Sequence, residues 1–165
     1  MLDYRTRRKK LIGFILLFLL FLVLEYFFFY LLSPHFADFQ RETTAKFLCF
    51  LLTLLGIPAS RSYDIVKLGS VSLRIVYECT GGFAFFIFSS ATLAFPTSWA
   101  KRLTAQLIGL ISIFLLNSIR LVLISWIAYR SPNVFDFIHK YLWQVTFPVV
   151  VVLLFILWAR KCKVE

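Results

Sequence analysis

Apolar blocks separated by short polar punctuation dominate this chain. Leu11 to Leu32 is interrupted only by Gly13, Glu25 and interface-type aromatics. At 1.5 Å per residue it makes a helix of about 33 Å, enough to cross a ~30 Å hydrocarbon core. Ser33-Pro34-His35 ends it. The next block, Phe47 to Ile57, reaches only about 16 Å as a helix. Glu42, Lys46, Cys49, Thr53 and Gly56 recur at spacings of three and four. That pattern predicts a helix over 43–57 with one polar face, lying in the interface or re-entrant. A start near Phe36 would make it long enough to cross, provided Arg41 and Glu42 found partners. Pro58 closes it. The period then switches to two: Ile65-Val66-Lys67-Leu68 and Val71 to Val76 flank Gly69-Ser70, so residues 64–77 read as a β-hairpin. Apolar helices follow over 81–96, 103–129 and 141–159, with turns at Pro96-Thr97-Ser98-Trp99 and Ser131-Pro132-Asn133. Thr97 or Ser98 is placed to cap the helix that follows the first of these turns.

Composition turns the blocks into membrane spans. The chain of 165 residues is 61% hydrophobic and 19% aromatic, with a mean hydropathy of +0.85. A soluble domain is nearer ~45–50% apolar. The expected fold is a single all-α integral membrane domain over 1–165. It has about four transmembrane helices, an outer-face amphipathic helix and a short β-hairpin before Cys79.

The net charge of +10 invites a nucleic-acid reading, but its placement argues against one. Arg5, Arg7, Arg8, Lys9 and Lys10 precede the first apolar run, Lys101 and Arg102 sit at the middle turn, and Arg160, Lys161 and Lys163 follow the last run. Basic residues so placed fix orientation. Both termini and the middle turn are then cytoplasmic and the hairpin lies outside, against membrane lipid and with no nucleic-acid partner. A fifth crossing by 43–57 would break this parity. The first run is about twice as long as a signal-peptide core and lacks a small-residue cleavage site, so it is expected to be retained. Cys49, Cys79 and Cys162 are too few and too scattered for a disulfide framework or a metal cage. No metal or other cofactor is expected.

Under this topology three chemically potent side chains converge on the outer layer. Cys79 stands in Tyr77-Glu78-Cys79-Thr80-Gly81-Gly82-Phe83, where the hairpin meets a helix start whose partial positive charge favours a thiolate; a small buried cysteine in a tight turn is the plain alternative. Glu78 beside it works in the opposite direction. Arg120 lies about 25 Å along its helix from Leu103 and so reaches the same face. An arginine inside a membrane helix is a functional candidate by default, with snorkelling to lipid phosphates as its plain alternative. His139 lies in the connector before the last span, where a surface histidine is the plain alternative. Together the three meet the needs of acyl transfer: a thiolate to attack, an imidazole to move protons and a guanidinium to hold the oxyanion. Asn117, one turn from Arg120, is a candidate to orient that side chain or bind substrate, with a helix–helix hydrogen bond as an equal alternative. Glu25, in the upper half of the first span, is a further candidate at the site, as a partner of Arg120, with snorkelling or another partner as the plain alternatives. Cys49, Cys162 and His35 are assigned no chemistry.

Glu78-Cys79-Thr80-Gly81-Gly82, Asn117-Ser118-Ile119-Arg120 and the lone His139 before a terminal span resemble the exosortase/archaeosortase family over roughly residues 40–158. The compact length, Ala94-Phe95-Pro96-Thr97-Ser98-Trp99 and His139-Lys140-Tyr141-Leu142-Trp143-Gln144 are most similar to the exosortase H type. Gly82 stands where an aliphatic residue is commoner, and the extra N-terminal spans of longer members have no counterpart. The resemblance implies a polytopic cysteine transpeptidase in the cytoplasmic membrane of a prokaryote, its active site facing outward. Such an enzyme cleaves a C-terminal sorting signal and transfers the protein to an acceptor. It further implies Cys79 as nucleophile, Arg120 as oxyanion or substrate clamp and His139 as acid/base. Its partners would be substrate proteins bearing a C-terminal motif, an apolar span and a basic tail. A membrane cysteine protease using water, or a non-catalytic assembly or export subunit, are the competing functions.

Overall fold

The computed structural model describes residues 2–32, 35–131, 133 and 144–162. Helix α1 (Leu2–Leu32) begins well before Leu11, because the arginines and lysines ahead of the apolar run are good helix formers and carry the helix through them. One stripe, with Phe14, Phe18, Glu25 and Phe29, is half-buried, and the rest faces outward: Leu16, Val23 and Phe28 are each more than 60% exposed. An apolar helix with so little protein cover needs lipid. Helix α4 (Trp99–Arg130) is about 48 Å long. Among the described residues, Thr6–Phe29 of α1 and the whole of α4 are long and apolar enough to cross a membrane. Helix α3 (Gly82–Ala94) is shorter than the 81–96 expected. Helix α5 (Gln144–Lys161), with Pro148 inside it, covers the described part of the last expected span; residues 141–143 lie outside the described residues.

The amphipathic helix differs most from expectation. Helix α2 runs His35–Leu54, eight residues earlier than the polar stripe suggested, with Asp38 in its first turn favoured by the helix dipole. It stops before Pro58. Gly56 adopts φ 76°, its N–H donates to Thr53 O at 3.0 Å, and the Ile57 N–H donates to Leu52 O at 2.9 Å. That is a glycine-terminated C-cap in the left-handed conformation. The charges that needed partners have them. Arg41 is ion-paired with Asp38 and reaches Asp64 at 3.4 Å, while Arg61 meets Glu42 at 3.4 Å.

The hairpin is the larger part of a three-stranded antiparallel sheet, ordered β1 (Ala59–Ser62), β2 (Ile65–Leu68), β3 (Val71–Arg74). Gly69 takes φ 59° in the β2–β3 turn, as a two-residue hairpin turn of this hand requires. Strand β1 is not legible in the sequence because Ser60-Arg61-Ser62 carries no apolar alternation. Val66 and Leu68 are fully buried and pack in one cluster with Ala45, Leu48 and Leu52 of α2, Leu121 of α4 and Cys79. The sheet is thus a platform wedged between α2 and α4, and its last strand leads straight into Cys79.

A second core lies deeper, where α3 packs against α1, α4 and α5. Ala84, Phe88, Ala105, Ile113, Phe147 and Val151 form it. Gly109 lets α4 pass close to α3: a Cβ there would stand 2.1 Å from Phe88 Cε1.

Candidate active site

Strand β3 ends at Arg74, and the chain folds through a single 3-10 turn, Tyr77–Cys79, before α3. Two local bonds shape this turn. The Cys79 N–H donates to Val76 O at 2.9 Å, and the Thr80 hydroxyl donates to Tyr77 O at 2.8 Å. Gly81 then caps α3 in the left-handed conformation, φ 79°. A Cβ on Gly81 would meet Asn117 Cγ at 3.3 Å, and one on Gly82 would meet Tyr77 Oη at 2.8 Å. Both glycines are therefore demanded by close approach, Gly81 by its φ as well.

The cysteine is consequently not at a free helix N-terminus, as its sequence position suggested. Its N–H is already bonded, and the residue is only 5% exposed. Burial pushes the Cys79 thiol up from its ordinary value, against the pull of the Arg120 guanidinium and the Val76 hydrogen bond, and Glu78 adds to the rise. Desolvation outweighs the nearby cation because the thiolate would lose nearly all its water.

From the other side, the buried stripe of α4 presents Asn117 and Arg120, which are 3% and 5% exposed. The Asn117 amide ties the site together. Its Nδ2 donates to the Cys79 carbonyl at 2.9 Å, and its Oδ1 accepts from Arg120 Nη1 at 3.2 Å. Arg120 also stacks its guanidinium over the Phe147 ring, 5.2 Å from the centroid, a favourable placement for a desolvated cation. Arg120 Nε is buried with no hydrogen-bond partner among the described residues. An arginine donor kept dry and unused is costly unless something else occupies it. Cys79 and Arg120 line one cavity of about 400 Å³ with Glu78, Phe83, Ile87 and Phe147. Its walls are mostly apolar, with Glu78, Cys79 and Arg120 as the reactive or charged side chains.

The structure therefore brings together Cys79, Arg120 and Asn117. It does not bring Glu25 to Arg120. The Glu25 carboxylate accepts from Ser89 Oγ at 2.6 Å and Ser90 Oγ at 3.0 Å, clamping α1 to α3. Of the readings open for Glu25, the structure shows another partner: the two hydroxyls of the adjacent α3. His139 lies outside the described residues. Phe147 was missed: nothing in its spacing marks an aromatic partner for an arginine on another helix. Tyr77 was missed as well. Its ring stacks on Phe29 of α1, 4.7 Å between centroids, and burial with the neighbouring Glu78 charge pushes its phenol up to about 12.

A family model described as transmembrane exosortase (Exosortase_EpsH) matches residues 5–156. Comparison with curated proteins and with solved structures finds no match.

Proposed function

The chain belongs to the transmembrane exosortase family, and from that premise we propose that it is a membrane cysteine transpeptidase. It cleaves a C-terminal sorting signal and passes the shortened protein to an acceptor, from the outer face of a prokaryotic cytoplasmic membrane. The observation that carries this reading is the Asn117 bridge, which holds the Cys79 backbone and the Arg120 guanidinium against one apolar cavity.

In this mechanism the Cys79 thiol gives up its proton and its sulfur attacks the scissile carbonyl, forming the C–S bond. The negative charge moves to the carbonyl oxygen, where Arg120 can supply its unused donor; fixed donors aimed at developing charge are typically the largest electrostatic contribution to acyl transfer. The tetrahedral centre collapses, the C–N bond breaks, and the leaving amine takes a proton. An acceptor nucleophile then loses its proton, attacks the thioester carbonyl and displaces sulfur, restoring the enzyme. His139 is assigned as base and acid for these transfers from the family resemblance, an imidazole being the side chain suited to gain and lose a proton near neutral pH. Burial that raises the thiol pKa makes a partner base necessary rather than optional.

The test follows conversion of an epitope-tagged protein carrying such a signal. Cys79→Ala should abolish conversion, and His139→Ala should cost on the order of 10²-fold or more. Undiminished conversion by Cys79→Ala at normal protein level would remove the nucleophile assignment.

A further inference from the structure

We infer that the free edge of strand β3 is the docking site for the extended segment preceding the cleaved bond, which adds to the sheet as a fourth strand. This rests on the transpeptidase reading and specifies how its substrate is held. In an antiparallel pair, residues alternate between those bonded to the partner strand and those whose N–H and C=O point away. The Ile75 N–H donates to Asp64 O at 2.8 Å, so Ile75, and with it Leu73 and Val71, turn their backbone toward β2 in the register Val66↔Leu73 and Leu68↔Val71. Ser72 and Arg74 therefore turn theirs outward. β3 is the last strand of the sheet, and among the described residues no backbone group is bonded to those of Ser72 and Arg74.

An unpaired edge is a template for another chain, and short length or a charge such as Arg74 is one way proteins blunt it. The β3 edge is exposed at Ser72, Arg74 and Val76. It borders a second cavity of about 220 Å³ between β3 and α4, walled by Ser72, Arg74 and Val76 on one side and Leu121 and Ile124 on the other. Cys79 lines this cavity and the first one as well. A chain laid along residues 72–76 covers about 13 Å and brings its next carbonyl to the thiol. Beyond that carbonyl the substrate passes into the first cavity, whose Phe83, Ile87 and Phe147 suit the beginning of an apolar span. Since β3 also runs toward Cys79, the added strand is parallel to it. Affinity then comes from main-chain hydrogen bonds and selectivity from alternate side chains, as in other strand-addition sites.

Proline distinguishes backbone docking from side-chain contact. At 72 or 74 it deletes only an outward N–H and leaves the β2 ladder whole. With the tagged signal-bearing protein as probe, Ser72→Pro and Arg74→Pro should each slow conversion at least tenfold relative to alanine at the same position. Equal rates for proline and alanine, at equal abundance, would overturn the inference. A second measurement needs no catalysis. Ser72→Cys, in a chain whose Cys49, Cys79 and Cys162 are serine, is paired with single cysteines walked along the probe's residues before its cleavage point. Disulfides should form at alternate positions; uniform trapping, or none, would defeat the docked strand. Conversion that survives Cys79→Ala would strike the nucleophile assignment alone.

Discussion

At the scale of single residues, the reactivity of Cys79 is a balance of four influences: burial, Arg120, the Val76 hydrogen bond and Glu78. Burial and Glu78 hold the thiol protonated, while Arg120 favours the thiolate. Alkylation by a small neutral reagent follows the thiolate fraction, so its midpoint should lie above the ordinary ~8.5 of a free cysteine. Glu78→Gln removes a negative neighbour and should move the midpoint down, speeding alkylation at neutral pH. Arg120→Gln removes the cation and should move it up. Shifts of the opposite sign, measured by mass spectrometry of the labelled chain, would show that the side chains do not share a field. Arg120→Lys makes a sharper comparison. Lysine keeps the charge but not the planar fork that donates to Asn117 Oδ1 and stacks on Phe147. The lysine variant should therefore keep most of the thiol shift yet convert substrate poorly. Normal turnover would reduce Arg120 to an electrostatic anchor. Cys79, Arg120 and Asn117 were legible in the sequence because each is chemically conspicuous where it stands: a cysteine before two glycines, a cation inside an apolar helix, and an amide one turn away. Phe147 was not, since a phenylalanine among valines carries no mark of the cation it stacks on.

At the scale of elements, the helices are held in register by glycines and buried hydroxyls rather than by polar faces. Gly109→Ala sets a methyl 2.1 Å from the Phe88 ring, which must move or force α3 and α4 apart. Overpacking of this kind costs about 1–3 kcal/mol. The variant should lose thermal stability in detergent, and Phe88→Leu in the same chain should restore a large part of it. If Phe88→Leu only adds to the loss, the two helices are not limited by this contact. Gly82→Ala meets Tyr77 Oη and Gln40 Oε1, so Tyr77→Phe should relieve it only partly, the ring carbon Cε2 still standing 3.3 Å away. Of the elements themselves, the β2–β3 hairpin was readable from its period of two and its Gly69-Ser70 turn. The early start of α2 was not readable from its polar stripe. That start is accompanied by ion pairs of Arg41 with Asp64 in the β1–β2 turn and of Glu42 with Arg61 on β1, whose sequence announces nothing.

At the scale of the molecule, everything turns on how α3 relates to the membrane. It is an apolar helix of 13 residues, about 20 Å long and ~10 Å short of the hydrocarbon thickness. Yet its polar residues Ser90 and Thr92 are fully buried. The Thr92 hydroxyl is met by Gln106 Nε2 at 2.8 Å, while Glu25 from α1 covers Ser89 and Ser90. A helix satisfied on both sides by neighbouring helices has no need of lipid contact along its whole length. It can cross with the bilayer thinned around it or with its flanking turns set below the surface. The apolar blocks could not reveal this, because the expected 81–96 span was measured by hydrophobicity while its true ends are set by Gly81 and by the extended Phe95. The positive-inside distribution predicts that the α3–α4 turn, followed at once by Lys101 and Arg102 of α4, is cytoplasmic and the β2–β3 turn outside. Cysteines at Ser70 and at Ala100, both exposed, in a chain freed of its native cysteines, should therefore label oppositely with an impermeant maleimide in intact cells. Ser70→Cys should react, and Ala100→Cys only after permeabilisation. Labelling of both from outside would mean that α3 turns back without crossing. Arg102 and its stacked Trp99 would then face the same compartment as Cys79, and α4 would have to enter the membrane from the outer side.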